Sequence, residues 1–577
     1  MANLASTYHR HGRYADTEAL DRVVLEKRKW LLGADHPDTL WAMENLAATY
    51  RKLGRYADAE PLDCVVLEKQ KQLLGADHPD TLSAMENLAV TYRQLGRYTD
   101  TEPLEGVALE KRKQLLGADH PDTLLAMGNL AATYQWLGRY TDAEALEGVV
   151  LAKRTQLLGA DHPDTMLAMA NLAATYRQLG RYADAEPLEG VVLEKRKQLL
   201  GADHPATLLA MANLSATYHQ LGRYADAELL KVVVLEKRKQ LLGADHPDTL
   251  SAMENLAATY HQLGRYADAE PLQGVVLEKR KQLLGADHPD TLSAMENLAA
   301  TYHQLGRYAD AEPLQGVVLE KRTHLLGADH PDTLLAMGNL AATCRQLGRY
   351  ADAELLEVVV LENRKQLLGA DHPDTLFAMA NLAATYYELG RYTDAEPLEG
   401  VVLEKRKQLL GADHPNTLWA MGNLAATYHQ LGRYTDAELL EGVVLEKRKR
   451  LLGADHPDTL WAMGNLATTY RELGRYADAG PLDRVVLEKR KQLLGADHLD
   501  TLSAMASLAT TYYQLGKYLD AEPLEVVGAD HLDTLSAMAN LAATYRQLGR
   551  YTDAELLKVV SSRSRSGSSV QTTHNLY

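Results

Sequence analysis

Asp35-His36 stands directly before Pro37, and the Asp-His pair occurs thirteen times in all along the chain. A carboxylate beside an imidazole is the raw material of acid–base catalysis or of a metal site. The spacing argues against both. Successive pairs lie about one repeat apart, so no two histidines converge, whereas zinc needs three or four ligands at one point. The Glu26-Lys27-Arg28-Lys29 run reads as a solvated helix face, because Asp58 and Glu60 offset it within each unit. HExxH, paired CxxC, Gly-x-Ser-x-Gly and dinucleotide-loop motifs are absent, so the sequence implies no enzyme and no cofactor. The remaining polar chemistry is that of amides. Asn45 recurs at a step of 42 residues as Asn87, Asn129, Asn171, Asn213, Asn255, Asn297, Asn339, Asn381, Asn423 and Asn465. A side-chain amide donates and accepts, so it can pair with both groups of an extended peptide backbone. It can equally bond the backbone of a neighbouring helix.

The elements that must position these residues follow from the same period. Gly12-Arg13-Tyr14 returns as Gly54-Arg55-Tyr56, Gly96-Arg97-Tyr98 and onward. A period of this size signals stacked repeats and overrides a division into ordinary globular domains. Within one copy, Gly33 suits a left-handed helix end and Pro37 the first turn of a helix, with Asp35 or His36 as its cap. Leu40, Met43, Leu46, Ala47 and Tyr50 lie on one helical face and predict a first helix to about Leu53. Gly54 ends it. A second helix is predicted from Tyr56 to Leu74, with Tyr56, Ala59, Leu62, Val66 and Leu73 as its buried stripe. All 19 prolines occupy the Pro37 or Pro61 position of the repeat, and Pro61 would remove one hydrogen bond early in the second helix. A two-helix unit cannot bury its stripes alone, so neighbours must share one core. The fold class expected is all-α.

The totals agree with this reading. Apolar residues make up 46% and charged residues 24% of 577 residues, with a formal charge of −17. That balance disfavours nucleic acid, which calls for a basic stripe, and suits a basic or neutral peptide. Cys64 and Cys344 sit at different repeat positions and read as free thiols in a reducing compartment. No run approaches the roughly 18 apolar residues of a membrane span, and the N-terminus lacks a signal-peptide pattern. Cytoplasmic residence is expected.

The run Asn45-Leu46-Ala47, Tyr50, Gly54, Tyr56, Ala59 resembles the tetratricopeptide signature. The 42-residue length, Ala59-Glu60-Pro61-Leu62 and Leu74-Gly75-Ala76-Asp77-His78-Pro79 resemble the kinesin light chain subtype. Near-identical tandem copies are also similar to the repeat arrays of fungal and bacterial STAND-type signalling proteins. The resemblance runs from residue 1 to about 558 and implies an α-solenoid, a right-handed superhelix of about 14 tandem helix-turn-helix units. There is no coiled coil of a motor light chain and no phosphate-binding loop of a signalling NTPase. Met1 aligns with Met43, so the first unit is short, as in a truncated product or an excerpt of a longer chain. The step from Gly516 to Gly549 is only 33 residues, which predicts looser packing there. Residues 559–577, rich in Ser and Arg, read as a disordered tail.

In the resembled family the first helix lines a concave groove. This implies that Trp41, Glu44, Asn45, Ala48, Arg51 and Lys52, with their equivalents, face a ligand. These positions vary while the frame does not. Trp41 becomes Phe377, Trp419 or Trp461; Arg51 becomes His219, His261, Tyr387 or His429. Such variation suits a partner-reading surface, or drift at exposed sites. Trp419 and Trp461 are aromatic anchor candidates, or simple packing against the adjacent helix. The expected function is a non-catalytic scaffold that binds peptide segments of partner proteins. A light-chain-like cargo adaptor, or the sensor arm of a signalling NTPase, is the alternative.

Overall fold

The computed structural model describes residues 2–528 and 534–556 of the chain. It is all-α, and no strand occurs among the described residues. The predicted tail, residues 559–577, lies outside them. Two compact units divide the chain, Met1–Gly285 and Ala286–Tyr577. In each, a first helix of 16 residues alternates with a second helix of 19. Consecutive helices pack against one another in sequence order, which makes each unit a solenoid of helical hairpins.

The first helix of a typical hairpin runs Pro37–Lys52 and the second Tyr56–Leu74. His36 caps the first: its Nδ1 accepts from the Asp38 N–H at 3.2 Å. The histidine is therefore used in ending a backbone, which is a structural role. Thr39 closes the loop behind it, donating to the Gly33 carbonyl at 2.8 Å. Gly33 has φ 90° and ψ 164°. This is not the left-handed helical conformation that the sequence suggested but an extended one with positive φ, open almost solely to glycine. At the other turn Arg55 N–H reaches the Tyr50 carbonyl and Gly54 N–H that of Arg51, with φ 74° at Gly54. That pairing satisfies the last carbonyls of the first helix. Pro61 lies inside the second helix, which continues through it.

Burial follows the predicted stripe of the first helix, where Leu40, Met43, Leu46, Ala47 and Tyr50 are all buried. The second helix differs. Ala59 and Val66 are buried as expected, but Leu73 is 53% exposed. Asp63, Leu67 and Gln70 are buried instead. The helix turns its stripe toward 59, 63, 66, 67 and 70, so a carboxylate enters the core.

Arg55 fastens each hairpin to the one before it. It pairs with Asp58 at 2.7 Å and with Glu18 of the preceding hairpin at 2.8 Å, and its guanidinium lies 4.7 Å from the Tyr50 ring centroid. The shortened hairpin keeps this clasp. Its second helix spans Tyr518–Gly528, and Arg550 still reaches Glu522 at 2.5 Å, although the two are 28 residues apart and not 37. Ala521, Leu541, Ala542 and Ala554 are buried there, so packing at these positions persists despite the missing residues.

Candidate peptide-binding face

Each second helix from Tyr14–Leu32 to Tyr476–Leu494 carries one buried polar residue at the Asp63 position. In the described chain the row reads Asp21, Asp63, Glu105, Glu147, Glu189, Lys231, Gln273, Gln315, Glu357, Glu399, Glu441 and Asp483. Each is met from the next first helix by a fully buried threonine. Thr49 donates to Asp21 at 2.9 Å, Thr91 to Asp63 at 2.6 Å, Thr133 to Glu105 at 2.7 Å and Thr511 to Asp483 at 2.7 Å. A buried carboxylate also needs a countercharge or full hydrogen bonding. It comes from the residue twelve positions earlier, in the same hairpin. Arg51 pairs with Asp63 at 2.6 Å, Arg93 with Glu105 at 2.9 Å, Arg177 with Glu189 at 3.3 Å, Arg345 with Glu357 at 3.4 Å and Arg471 with Asp483 at 2.8 Å. Where the floor residue is Lys231, Gln273 or Gln315, the partner position holds His219, His261 or His303. Every Arg at the described Arg51 positions named above thus faces an acid, whereas His also stands opposite Asp21 and Glu441, Gln135 opposite Glu147 and Tyr387 opposite Glu399. No reading of single positions shows this; the twelve-residue pairing would have.

The charges respond accordingly. Burial raises the Glu105, Glu189 and Glu357 carboxyls, while the neighbouring arginines and threonines pull them back. Glu147, Glu399 and Glu441 have no cation opposite, and burial pushes each up to about 7. The three differ in hydrogen bonding. Gln135 donates to Glu147 Oε1 at 2.9 Å and Thr175 to its Oε2 at 2.6 Å. Oε2 of Glu399 and of Glu441 is buried and accepts nothing. Lys231 is the one cation among the described residues of the row. Its Nζ donates to Thr259 Oγ1 at 2.7 Å and to the Asn255 carbonyl at 3.2 Å, and burial lowers it to about 8. His219 and His261 are also lowered by burial, and their Nε2 atoms find no partner.

These rows line crevices between a first helix, its second helix and the next first helix. One of about 410 Å³ is bounded by His9, Asp21, Trp41, Asn45 and Ala48. A second, about 200 Å³, holds His303, Gln315 and Asn339. A third, about 150 Å³, holds Arg345, Glu357, Arg364, Phe377 and Asn381. In these three crevices Asn45, Asn339 and Asn381 lie with His9, His303 and Arg345, and Trp41 and Phe377 line two of them, with the buried row added as a floor.

The individual placements refine the expectations. Asn45, Asn87, Asn129, Asn213, Asn381, Asn423 and Asn465 are half-buried, and Asn171, Asn255, Asn297 and Asn339 are exposed. Asn87 Oδ1 accepts from Arg51 at 3.4 Å. Among the described residues the other ten amides form no side-chain hydrogen bond, so they do not tie neighbouring helices together. Trp41, Trp419 and Trp461 are 49%, 47% and 46% exposed. Each carries a guanidinium over its ring: Arg28 at 5.0 Å, Arg406 at 5.6 Å and Arg448 at 5.4 Å. Trp461 also lies against Gly422 of the preceding hairpin, 3.7 Å from where a Cβ would stand. Packing and exposure are both true of these rings. Tyr387 stands edge-on to Tyr392, with ring centroids 5.2 Å apart. No group of three His, Cys, Asp or Glu converges on a point among the described residues.

Fold and face together define a repeat protein built of stacked helical hairpins. Twelve consecutive segments, from 81–122 to 534–563, match the tetratricopeptide repeat family, and residues 1–72 match it through a second repeat profile. The chain belongs to the tetratricopeptide repeat family. Among solved structures it is similar to a kinesin light chain-type protein of Podosopora anserina with nearly identical TPR-like repeats. That match has 26% identity, covers 36% of this chain and 98% of that one, and has a TM-score of 0.34. BtubC (BKLC) from P. vanneervenii matches at 21% identity over 43% of this chain and 94% of its own, with a TM-score of 0.33. The apo quorum sensor NprR from B. thuringiensis matches at 16% identity over 66% and 99%, with a TM-score of 0.45. No curated protein sequence matches.

Proposed function

We propose that the chain is a non-catalytic scaffold that holds peptide segments of other proteins along the crevices of its first helices. The observation that carries this reading is the recurring asparagine amide, which forms no side-chain hydrogen bond in ten of its eleven described copies from Asn45 to Asn465 and lines the crevices at Asn45, Asn339 and Asn381. Such amides hold a peptide by its backbone, without reading sequence. Trp41, Trp419 and Trp461 act as anchors, while Arg51, His219, His261 and Tyr387 shape the walls. The partner is a protein, not a nucleic acid, given the charge of −17. No helix among the described residues is long and apolar enough to cross a membrane. Free Cys64 and Cys344 fit a reducing compartment such as the cytoplasm. A light-chain-like adaptor role and a sensor-arm role both fit within this reading.

The test uses a partner segment identified by capture and sequencing. Replacing Asn381, Asn423 and Asn465 by Ala should weaken its binding without loss of helical circular dichroism. Ala258→Trp, at an exposed crevice position, should block binding that uses the first unit. Unchanged affinity in both variants would refute the groove.

A further inference from the structure

Two successive hairpins of the second unit break the rule that an acid in the buried row is neutralised within its own hairpin. Glu399 is 6% exposed and Glu441 7% exposed, and in each Oε2 is buried without a donor. Their partner positions hold Tyr387 and His429 where other copies hold Arg. Thr427 and Thr469 approach them from the next first helices closely enough to lower each carboxyl somewhat, but their geometry closes no full hydrogen bond, and Glu396 and Glu438 lie nearby on their own helices, adding negative potential. No cation lies within ion-pair distance of either among the described residues. The counterparts Asp21, Gln315 and Glu357 all line crevices. A buried acceptor left without a partner is costly, and a bound donor removes the cost.

We propose that the crevices floored by Glu399 and Glu441 each take a cationic side chain, so that this unit binds a basic peptide segment. The inference rests on the groove reading above and adds the charge class of the ligand. Lysine or arginine fits on several grounds. The free atoms are acceptors, the wall beside Glu399 is the aromatic Tyr387, and the whole chain is acidic. Arg406 and Arg448 do not fill the role. Each lies seven residues further along its helix, about 10 Å away. They are held by the Asn416 and Asp458 carbonyls at 3.2 and 2.9 Å, over Trp419 and Trp461. Packed helices are about 8–10 Å apart. A polyproline-type peptide rises about 3.1 Å per residue, so an extended probe with cationic side chains three positions apart presents them about 9 Å apart on a stiff backbone.

The probe is a blocked hexapeptide, acetyl-Pro-Lys-Pro-Pro-Lys-Pro-amide, titrated against the full chain by calorimetry. Versions with norleucine or glutamate at the two lysine positions serve as controls. The lysine peptide should bind at least about tenfold more tightly than the norleucine peptide, and E399Q/E441Q should remove that preference. Glutamine stands in the same row at Gln273 and Gln315, so the fold accepts it. Binding of the lysine peptide should release protons near pH 7 and tighten from pH 6 to 8, because the cation requires the ionised carboxylate. Equal binding of lysine and norleucine peptides, preference for glutamate, or an undiminished preference in E399Q/E441Q would overturn the proposal. The groove reading would survive any of these, since it stands or falls with the asparagine variants and Ala258→Trp.

Discussion

Replacing Glu441 by Gln should stabilise the second unit at alkaline pH and leave it nearly unchanged in acid. The folded carboxyl titrates near 7 where an unhindered one titrates near 4.5, chiefly because it is buried. Between those values the folded chain holds a proton that the unfolded chain has released. Raising the pH through this window therefore weakens the fold, and the loss is complete above about pH 7. The rise from 4.5 to about 7 corresponds to about 3 kcal/mol. Glutamine keeps the shape of the side chain and never ionises. The gain of E441Q over the parent should rise from near zero at pH 4.5 to about 3 kcal/mol at pH 8. Repeat arrays open locally, so the assay is hydrogen exchange of the flanking helices Pro415–Gln430 and Pro457–Glu472, at several pH values. Equal protection of parent and variant at pH 8, or a parent more stable at pH 8 than at pH 5, would refute the reasoning.

Two further outcomes test the buried row. Lys231→Gln removes an amine whose folded value is lowered by burial from 10.5 to about 8. Here the unfolded chain holds the extra proton, so the parent recovers stability as pH rises from 8 to 10.5. The variant should be about 3 kcal/mol more stable at pH 7, with the gap closing by about pH 10.5 in urea titrations; a gap that persists at high pH would mean that packing, not charge, sets it. Arg51→Ala should cost about 3 kcal/mol by leaving Asp63 buried and unpaired. The double change R51H/D63Q copies His261 and Gln273 and should recover most of that loss in urea titrations; failure to recover would show that the pair is not interchangeable.

The frame of this protein is legible in its sequence because each repeat writes the same local rules. His36 before Pro37, Gly54 before Tyr56 and the Leu40–Met43–Leu46–Ala47–Tyr50 face act within a few residues, and their helix bounds follow. Leu73 misleads because the second helix is apolar on two sides. Its exposed Leu73 and Leu74 look like core, while the true stripe includes Asp63 and Gln70. A carboxylate is read as outward by default, and only its neutraliser reverses that. Arg51 lies twelve residues away across a turn, beyond the reach of helical periodicity. The asparagine row was visible by recurrence alone, but its freedom from internal bonds is a property of the packed hairpins. Likewise Tyr387 and His429 look like ordinary variation until the acid beneath each is located.

The location of the charge partner has a genetic consequence. Asp63 asks its neighbour only for a threonine hydroxyl, which recurs in each described first helix, and finds its arginine inside its own hairpin. A duplicated or transplanted copy would carry its own neutraliser with it and meet an acceptable neighbour on arrival. Unequal crossing-over between such copies can lengthen, shorten or reorder the gene without creating a stranded charge.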